Sequence, residues 1–291
     1  MINQIENYSK YLLQELNLSI NTVNSYLKDL KSFNDYLLKN NINFLKITRS
    51  EVQGYLKFLA NKNLSNSTIS RKISSLRGFY NYLIHTNLIN HNVFNEIKNP
   101  KIKRKLPNYL NYKEMREIID SIDIKTNEGI LERLIIEIFY ATGVRVSELA
   151  NIKNKDIDLN NLTIRIKGKG RKERIVFFGD YALEALNNYY KKVYYDRKSN
   201  NDYLFIKESG EPFTIFEIEN IVKNIVKNLP IKNNVTPHTF RHTFATHLLN
   251  NGADIKTVQE LLGHSNLNTT AIYTHLSNEK LREVYLKTFP R

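Results

Sequence analysis

The sequence of 291 residues contains no cysteine. This absence excludes disulfide bonds, thiolate zinc sites, iron–sulfur clusters and a cysteine nucleophile, and it suits a reducing compartment, so we expect a cytoplasmic protein. Long apolar runs are also missing, since the most apolar stretch, residues 134–144, is short and contains Glu137. The N-terminus lacks the basic and then apolar pattern of a signal peptide, and we therefore expect no membrane partner.

Acidic residues are too few to balance the basic ones. The chain has 43 Lys and Arg against 29 Asp and Glu, a formal net charge of +14. The excess is concentrated in residues 1–107, with 16 basic and 6 acidic side chains, whereas residues 108–291 have 27 and 23. An AT-rich genome accounts for part of the lysine content, but a nucleic acid is the first partner that this charge indicates.

The length and the apolar periodicity predict two domains. Helical spacing of apolar residues over about 2–16, 23–37, 49–61 and 69–83 predicts an all-helical domain over residues 1–97, with Ser19 and Ser67 as N-caps. The segment 98–105, KNPKIKRK, contains five basic residues and a proline, and Pro107 follows it. We therefore predict a basic linker over 98–107, which could lie along a phosphate backbone.

The second predicted domain covers residues 108–291 and is mainly helical with a small sheet. Alternating runs over 162–167 and 173–178, separated by a turn with glycines, predict a β-hairpin. Helix starts are predicted at Asp180, at Thr214 with Glu217 as a capping box, and at Thr236 before a proline. The predicted fold class is thus mainly α with a small β-sheet, an all-helical N-terminal domain preceding a mixed α+β domain.

Several residues could bind a phosphate. The i,i+3 spacing of His238 and Arg241 places both on one face of a helix, where they can converge on one anion. The His238 and His242 pair has a spacing that also suits a metal, but the glutamate of zinc hydrolases is replaced by Thr239, and we expect no metal.

Three more basic residues could belong to the same site. Arg145 follows an apolar helix and is as compatible with a structural ion pair to Glu148 as with a site. Lys169 lies between two glycines at the hairpin tip, and alone it is only an exposed lysine. His264 follows Gly263, a predicted helix stop.

The order and spacing of these residues form a recognisable set. Arg145, Lys169, His238, Arg241 and His264 are followed by Tyr273. With them, the chain resembles the tyrosine recombinase (phage integrase) family, most closely its Xer branch. The resemblance extends over LSINTVNSYLKDLKSF, ATGVRVSEL, GKGRKER, HTFRHTFATHLL, LLGHSNLNTTAIYTH and YLKTFPR.

The resemblance implies a SAM-like core-binding domain, a catalytic domain and DNA strand exchange. Tyr273 would be the nucleophile that forms a 3′-phosphotyrosyl link, and Lys169 would protonate the departing 5′-oxygen. The other members of the set would bind or assist at the scissile phosphate, with Glu148 in support, and no cofactor is implied. This chemistry agrees with the residues themselves, because phosphoryl transfer depends on positioning and on electrostatic stabilisation.

Basic residues outside the apolar faces are expected to contact DNA, although a solvated face would explain the helical ones equally well. These expected contacts are Lys28, Arg71, Lys72, Lys101, Lys103, Arg104, Lys105, Arg171 and Lys172. The resemblance implies double-stranded DNA with two inverted half-sites as substrate. It further implies a homotetramer, or a heterotetramer with a related recombinase, and a DNA translocase as a possible activator.

Four functions compatible with these residues remain. Resolution of chromosome dimers is favoured, and a mobile-element integrase is the first alternative. A type IB topoisomerase would relax supercoils without exchanging strands, and the N-terminal domain argues against it. A noncatalytic DNA-binding relative would be expected to have lost one of the six positions, all of which are present.

The C-terminal segment is predicted to form a short amphipathic helix after Ser277. Its apolar face, formed by Leu281, Val284, Tyr285 and Leu286, is too short to be stable without a partner. The resemblance implies that this helix is donated to a neighbouring subunit; packing on its own domain is the alternative.

Overall fold

The structure, a computed structural model, describes residues 1–101, 108–168, 173–197, 202–231, 234–263 and 278–291. The chain divides into two compact units, Met1–Lys105 and Leu106–Arg291. The described residues are mainly helical with one small sheet, which confirms the predicted fold class. In these ranges, no helix has both the length and the apolar character needed to cross a bilayer.

The first unit is all helical and has an aromatic core. Its helices are α1 (Ile2–Gln14), α2 (Ile20–Lys39), α3 (Arg49–Asn61) and α4 (Asn66–His85). Edge-to-face contacts join Phe33 to Tyr55 and Phe94, with ring centres 4.8 and 5.7 Å apart. Because all three side chains are fully buried, the core holds α2 and α3 against the short 3₁₀ turn that follows α4.

Two helix starts of this unit test the predicted caps. The Ser19 side chain accepts a hydrogen bond from the backbone of Thr22, as predicted for the N-cap of α2. The prediction for α4 was wrong: Ser65, not Ser67, is the N-cap and accepts from the backbone of Thr68. The sequence SNS offers two serines, and the helix begins at the earlier one because Asn66 and Ser67 extend it without a break.

The second unit contains eight α-helices among its described residues. They are α5 (Tyr112–Asp120), α6 (Asn127–Thr142), α7 (Val146–Ala150), α8 (Asp180–Tyr189), α9 (Ile215–Val226), α10 (Pro237–Asn250), α11 (Ile255–Leu262) and α12 (Asn278–Thr288). The helix α6 is buried along almost its whole length and packs against α8, α9 and α10. It is therefore the central element around which the unit is built.

Local sequence again explains where the helices of this unit begin. The capping box of Thr214 and Glu217 is present at α9, as predicted. Asp180 was predicted as a cap but is the first residue of α8, after an N-cap at Gly179. Its carboxylate still lies in the first turn, where a negative charge interacts favourably with the helix dipole.

A three-stranded antiparallel sheet lies beside these helices. Its strands are β1 (Ile157–Asp158), β2 (Thr163–Lys167) and β3 (Glu173–Phe177), in the order β1-β2-β3. The predicted hairpin is confirmed as the β2–β3 pair. Its register places Ile164 opposite Val176 and Ile166 opposite Arg174. Arg174 is consequently on the same face as these buried apolar residues.

The helix α12 packs on its own unit in this single chain. Leu281 and Tyr285 are buried in a cluster with residues of α10, α11 and β3, and Val284 packs against it. Leu286 was predicted to belong to the apolar face but is 63% exposed. Donation of α12 to a neighbouring subunit in an assembly remains a prediction, and Ser277 lies outside the described residues.

Candidate active site

Arg145 lies in the turn between α6 and α7. Gly143 ends α6 with a left-handed backbone (φ 59°), and an added Cβ there would lie 2.5 Å from the ring of Phe244. Arg145 then becomes the N-cap of α7, and its backbone N–H donates to Glu148 Oε2 at 2.8 Å. Its side-chain Nη1 donates to Glu148 Oε1 at 2.8 Å. The ion pair of Arg145 and Glu148, one of the two alternatives that the sequence left open, is therefore present.

Glu148 also binds a second arginine, Arg174. Two nitrogens of the Arg174 guanidinium donate to the two carboxylate oxygens at 2.8 and 2.9 Å. Burial alone would raise the pKa of Glu148, but hydrogen bonds from Arg174 and Arg145 outweigh it and lower the pKa to about 2. The carboxylate is thus ionised at neutral pH and shared between the two arginines.

Arg241, on the inner face of α10, is the third arginine of the cluster. It is 7% exposed, and its Nη1 and Nη2 donate to the carbonyls of Gly143 and Leu262, both at 2.6 Å. Burial, followed by the charges of Arg145 and Arg174, lowers the pKa of Arg241 to about 10. The side chain therefore stays cationic at neutral pH, and among the described residues these two carbonyls are the hydrogen-bond partners of its five N–H groups.

Two of the three histidines of α10, His238 and His242, lie near this cluster. His238 is exposed in the first turn of the helix, three residues before Arg241. Burial, and then the charges of His238 and Arg241, lower the pKa of His242. Among the described residues, no group of three or more histidine, aspartate and glutamate side chains has an arrangement that could hold a metal ion.

Three of the expected site residues, Lys169, His264 and Tyr273, lie outside the described residues. Two of them are close in sequence to described residues. Lys169 is two residues after the end of β2, and His264 directly follows Gly263. The structure brings Arg241 close to the pair of Arg145 and Glu148, from which it is far apart in the chain.

Some of the expected DNA contacts lie in the first unit. Lys28 is exposed on α2, and Arg71 is exposed on α4 and bound to Asp29. Lys72 is only 8% exposed, and its ammonium group lies 3.1 Å from the same buried carboxylate. Its burial ties Lys72 to the interior of the unit and not to a surface that DNA could reach.

Other expected DNA contacts are in the linker and the hairpin. Lys101 is exposed, and its carbonyl accepts a hydrogen bond from the Asn66 side chain at 2.9 Å. The remaining five fall outside the described residues: Lys103, Arg104, Lys105, Arg171 and Lys172.

Sequence reasoning missed two residues, Arg174 and Asp29. A signal for Arg174 exists, because it is two residues before the apolar Val176 in the same strand and so points to the same, inward face. An arginine at an inward position requires an anionic partner. Asp29 gave no such signal, because an aspartate between basic residues on a helix is ordinarily exposed.

Comparison with known protein families finds two matches along the chain. The model of the phage integrase family matches residues 108–280, and that of the phage integrase N-terminal SAM-like domain matches residues 5–87. The cluster of Arg145, Glu148 and Arg241 lies inside the first match.

Similar proteins include curated sequences and solved structures. Tyrosine recombinase XerC of Staphylococcus epidermidis is 40% identical over 291 residues, which is 100% of this chain and 98% of the relative. The Staphylococcus aureus protein of the same name is 40% identical over 98% of this chain and 96% of the relative. A crystal structure of XerH site-specific recombinase bound to palindromic difH substrate, a post-cleavage complex, is 28% identical with a TM-score of 0.74. It covers 97% of this chain and 83% of that chain.

Proposed function

Because the chain belongs to the phage integrase family of tyrosine recombinases and is a site-specific DNA recombinase, we propose that it cuts and rejoins DNA through a tyrosyl–DNA intermediate. Tyr273 is the nucleophile, and Arg145, Lys169, His238, Arg241 and His264 form the rest of the active site. The proposed domains cover residues 1–97 and 108–291 and are joined by the linker 98–107. All six active-site residues belong to the second domain.

The reaction is a transesterification that conserves bond energy. The Tyr273 oxygen attacks the scissile phosphorus, the bond to the 5′-oxygen breaks, and a 3′-phosphotyrosyl link forms. His238 assists removal of the phenol proton, and Lys169 gives a proton to the departing 5′-oxygen. A 5′-hydroxyl from a second duplex then attacks the link, which releases Tyr273 and joins the exchanged strands.

The observation that carries this proposal is the excess of positive charge around Glu148. Three guanidinium groups, from Arg145, Arg174 and Arg241, surround one carboxylate, which leaves two positive charges without a described counter-ion. A phosphodiester attacked by a phenolate develops a second negative charge on its nonbridging oxygens. Fixed cations at low dielectric stabilise such charge without having to reorganise.

DNA contacts outside the active site are proposed for most of the remaining basic residues. Lys28 and Arg71 are exposed in the first unit, and Lys101 is exposed in the linker. With Lys103, Arg104, Lys105, Arg171 and Lys172 they would bind flanking phosphates, whatever the base sequence. Lys72 is not among the proposed contacts because it is buried beside Asp29.

The substrate we propose is a DNA site with two inverted half-sites, filled by a tetramer of this chain alone or with a related recombinase. Resolution of chromosome dimers in the cytoplasm is the proposed role, supported by the likeness to proteins named XerC over the full chain. A DNA translocase is the proposed activator of the tetramer. Selection of bound DNA fragments by the purified protein would test the substrate, because inverted half-sites around a short spacer are expected.

The nucleophile is tested with a nicked site from that selection, on which a covalent adduct accumulates. Tyr273→Phe removes only the phenol oxygen, so we expect normal DNA binding and no adduct on a denaturing gel. Tyr285→Phe is the matched control and should form the adduct, since the Tyr285 hydroxyl is fully buried. An adduct formed by Tyr273→Phe would place the nucleophile elsewhere.

A second arm of this experiment tests the absence of a metal requirement. Cleavage by the wild-type protein is expected to continue in EDTA, because arginine and lysine side chains supply the positive charge that a metal would otherwise provide. Loss of the adduct on chelation would contradict the proposal that no cofactor takes part.

A further inference from the structure

Arg174 adds to the positive charge of the cluster but is the one arginine of the three that is not among the proposed active-site residues. It is on β3, and its side chain is 14% exposed. Besides its two bonds to Glu148, its Nε donates to the carbonyl of Leu261 at 3.2 Å. Three hydrogen bonds to two different elements fix this guanidinium more fully than packing on the sheet requires.

We propose that Arg174 is a positioning residue that holds Glu148 so that Arg145 keeps most of its guanidinium for the scissile phosphate. The inference rests on the proposed function, because it assigns Arg174 to the same reaction. Arg174 acts through Glu148 and Arg145 and does not itself touch the phosphate.

The hydrogen bonds at Glu148 carry the first step of the argument. Oε1 accepts from Nη1 of both Arg145 and Arg174, and Oε2 accepts from the backbone of Arg145 and Nη2 of Arg174. An ionised carboxylate has about four acceptor sites, so all are in use. Arg145 is thereby restricted to a single side-chain bond, and the other N–H groups of its guanidinium are not bound by Glu148.

Charge gives the second step. With Arg174 present, the negative charge of Glu148 is divided between two guanidinium groups. Without the two hydrogen bonds from the Arg174 guanidinium, two acceptor sites of the Glu148 carboxylate are vacated. Glu148 then favours a bidentate pair with Arg145, the geometry that arginine and carboxylate prefer. Such a pair would withdraw both donors and positive charge from the phosphate. Arg145 is 38% exposed, so its side chain has room for that change.

The end of α11 gives the third step. Arg174 binds the carbonyl of Leu261, and Arg241 binds that of the next residue, Leu262, at 2.6 Å. Carbonyls in the last turn of a helix lack partners within it and favour cations. Gly263 leaves space for this contact, since a Cβ there would lie 2.8 Å from Arg174 Cδ. Arg174 therefore joins Glu148 to the helix end that also holds Arg241.

The test compares two substrates that differ in charge at the scissile phosphate. One is the nicked site selected above, and the other has a methylphosphonate there, which lacks one negative charge. Arg174→Lys keeps the positive charge but cannot donate two parallel hydrogen bonds to Glu148. The rate of adduct formation in a single turnover should therefore fall about 10²-fold on the phosphodiester, as for a displaced catalytic group. On the methylphosphonate, with both diastereomers measured separately, we expect a much smaller loss because less positive charge is needed.

Matched variants separate positioning from loss of structure. Arg165→Lys makes the same substitution at an exposed position of β2 and should leave both rates unchanged. Arg174→Gln keeps donors for Glu148 without the charge and should show the same dependence on substrate. Adding Arg174→Lys to Arg145→Ala should slow cleavage little further, because residues that act through one another are not additive.

The outcomes are distinct. Equal losses on the two substrates, a full rate for both Arg174 variants, or additive losses in the double variant would overturn the positioning role. If the wild-type protein forms no adduct, the proposed function fails first and the inference falls with it. An adduct that forms with wild type and disappears in Tyr273→Phe shows that any failure belongs to the inference alone.

Discussion

Arg291 donates two hydrogen bonds to the carboxylate of Glu137, at 2.7 and 3.1 Å. Glu137 is 1% exposed in the middle of α6 and also accepts from Arg133 at 2.9 Å. The guanidinium of Arg291 lies 3.9 Å from the ring centre of Tyr181 as well. The residues that follow α12 are thus attached to the central helix of the second unit through a buried charge.

Arg291→Ala should lower the free energy of unfolding by about 2 kcal/mol, because a buried carboxylate loses one of its two cationic partners. Urea unfolding measures the change. Lys287→Ala is the control, since it breaks only an exposed pair with Glu283, and a loss below about 1 kcal/mol is expected there. Equal effects for the two variants would mean that Arg291 contributes no more than a surface ion pair.

Tyr285→Phe is expected to stabilise the protein. The Tyr285 hydroxyl is buried and has no hydrogen-bond partner among the described residues, and burial raises its pKa well above the usual value. Removing an unsatisfied buried hydroxyl should increase the free energy of unfolding by about 1 kcal/mol. Thermal or urea unfolding would detect this gain.

The control for that substitution is Tyr189→Phe in the same unit. The Tyr189 hydroxyl donates to the carbonyl of Leu204 at 3.1 Å, so its removal should cost about 1 kcal/mol. The two changes are chemically identical and should have opposite signs. A loss of stability with Tyr285→Phe would show that its hydroxyl has a partner.

Stability should depend on Glu148 in acid. The folded pKa of Glu148 is about 2, below its usual value of 4.5, because hydrogen bonds from Arg174 and Arg145 outweigh burial. A lowered pKa stabilises the folded state above pH 4.5, and this contribution, about 3 kcal/mol, disappears as the pH falls towards 2. The difference in unfolding free energy between wild type and Glu148→Gln should shrink over this range. A difference independent of pH would contradict the ionised, shared carboxylate.

Arg71 and Lys72 are neighbours in sequence but should respond differently to substitution. Arg71→Gln should weaken binding to all DNA sequences. It should also make the fall of log K with log salt less steep, by about 0.9 for one lost phosphate contact. Lys72→Gln should leave the slope unchanged and reduce the free energy of unfolding by about 1 to 3 kcal/mol, because Asp29 loses a buried donor. Binding titrations at several salt concentrations would distinguish the two. A less steep salt dependence for Lys72→Gln would indicate that Lys72 leaves Asp29 to reach DNA.

The periodicity of apolar residues and the spacing of neighbouring polar residues were sufficient to predict much of the fold. The β2–β3 hairpin, the cap at Ser19 and the capping box of Thr214 with Glu217 were predicted because each depends on residues close together in the chain. The pair of Arg145 and Glu148 belongs to the same class, since i,i+3 residues meet in a first helical turn. Errors of one or two residues, at Ser65 and Gly179, arose where two neighbours could each begin a helix.

By itself, the sequence determined the family, the charge and the identity of the proposed site residues. The tertiary structure decided which side chains share a partner. Arg174 meets Glu148 across 26 positions, Arg241 binds the carbonyl of Gly143 across 98, and Lys72 is buried by Asp29 across 43. No periodicity specifies these contacts, because they form only when separate helices and strands pack together and a buried charge must find its counter-ion.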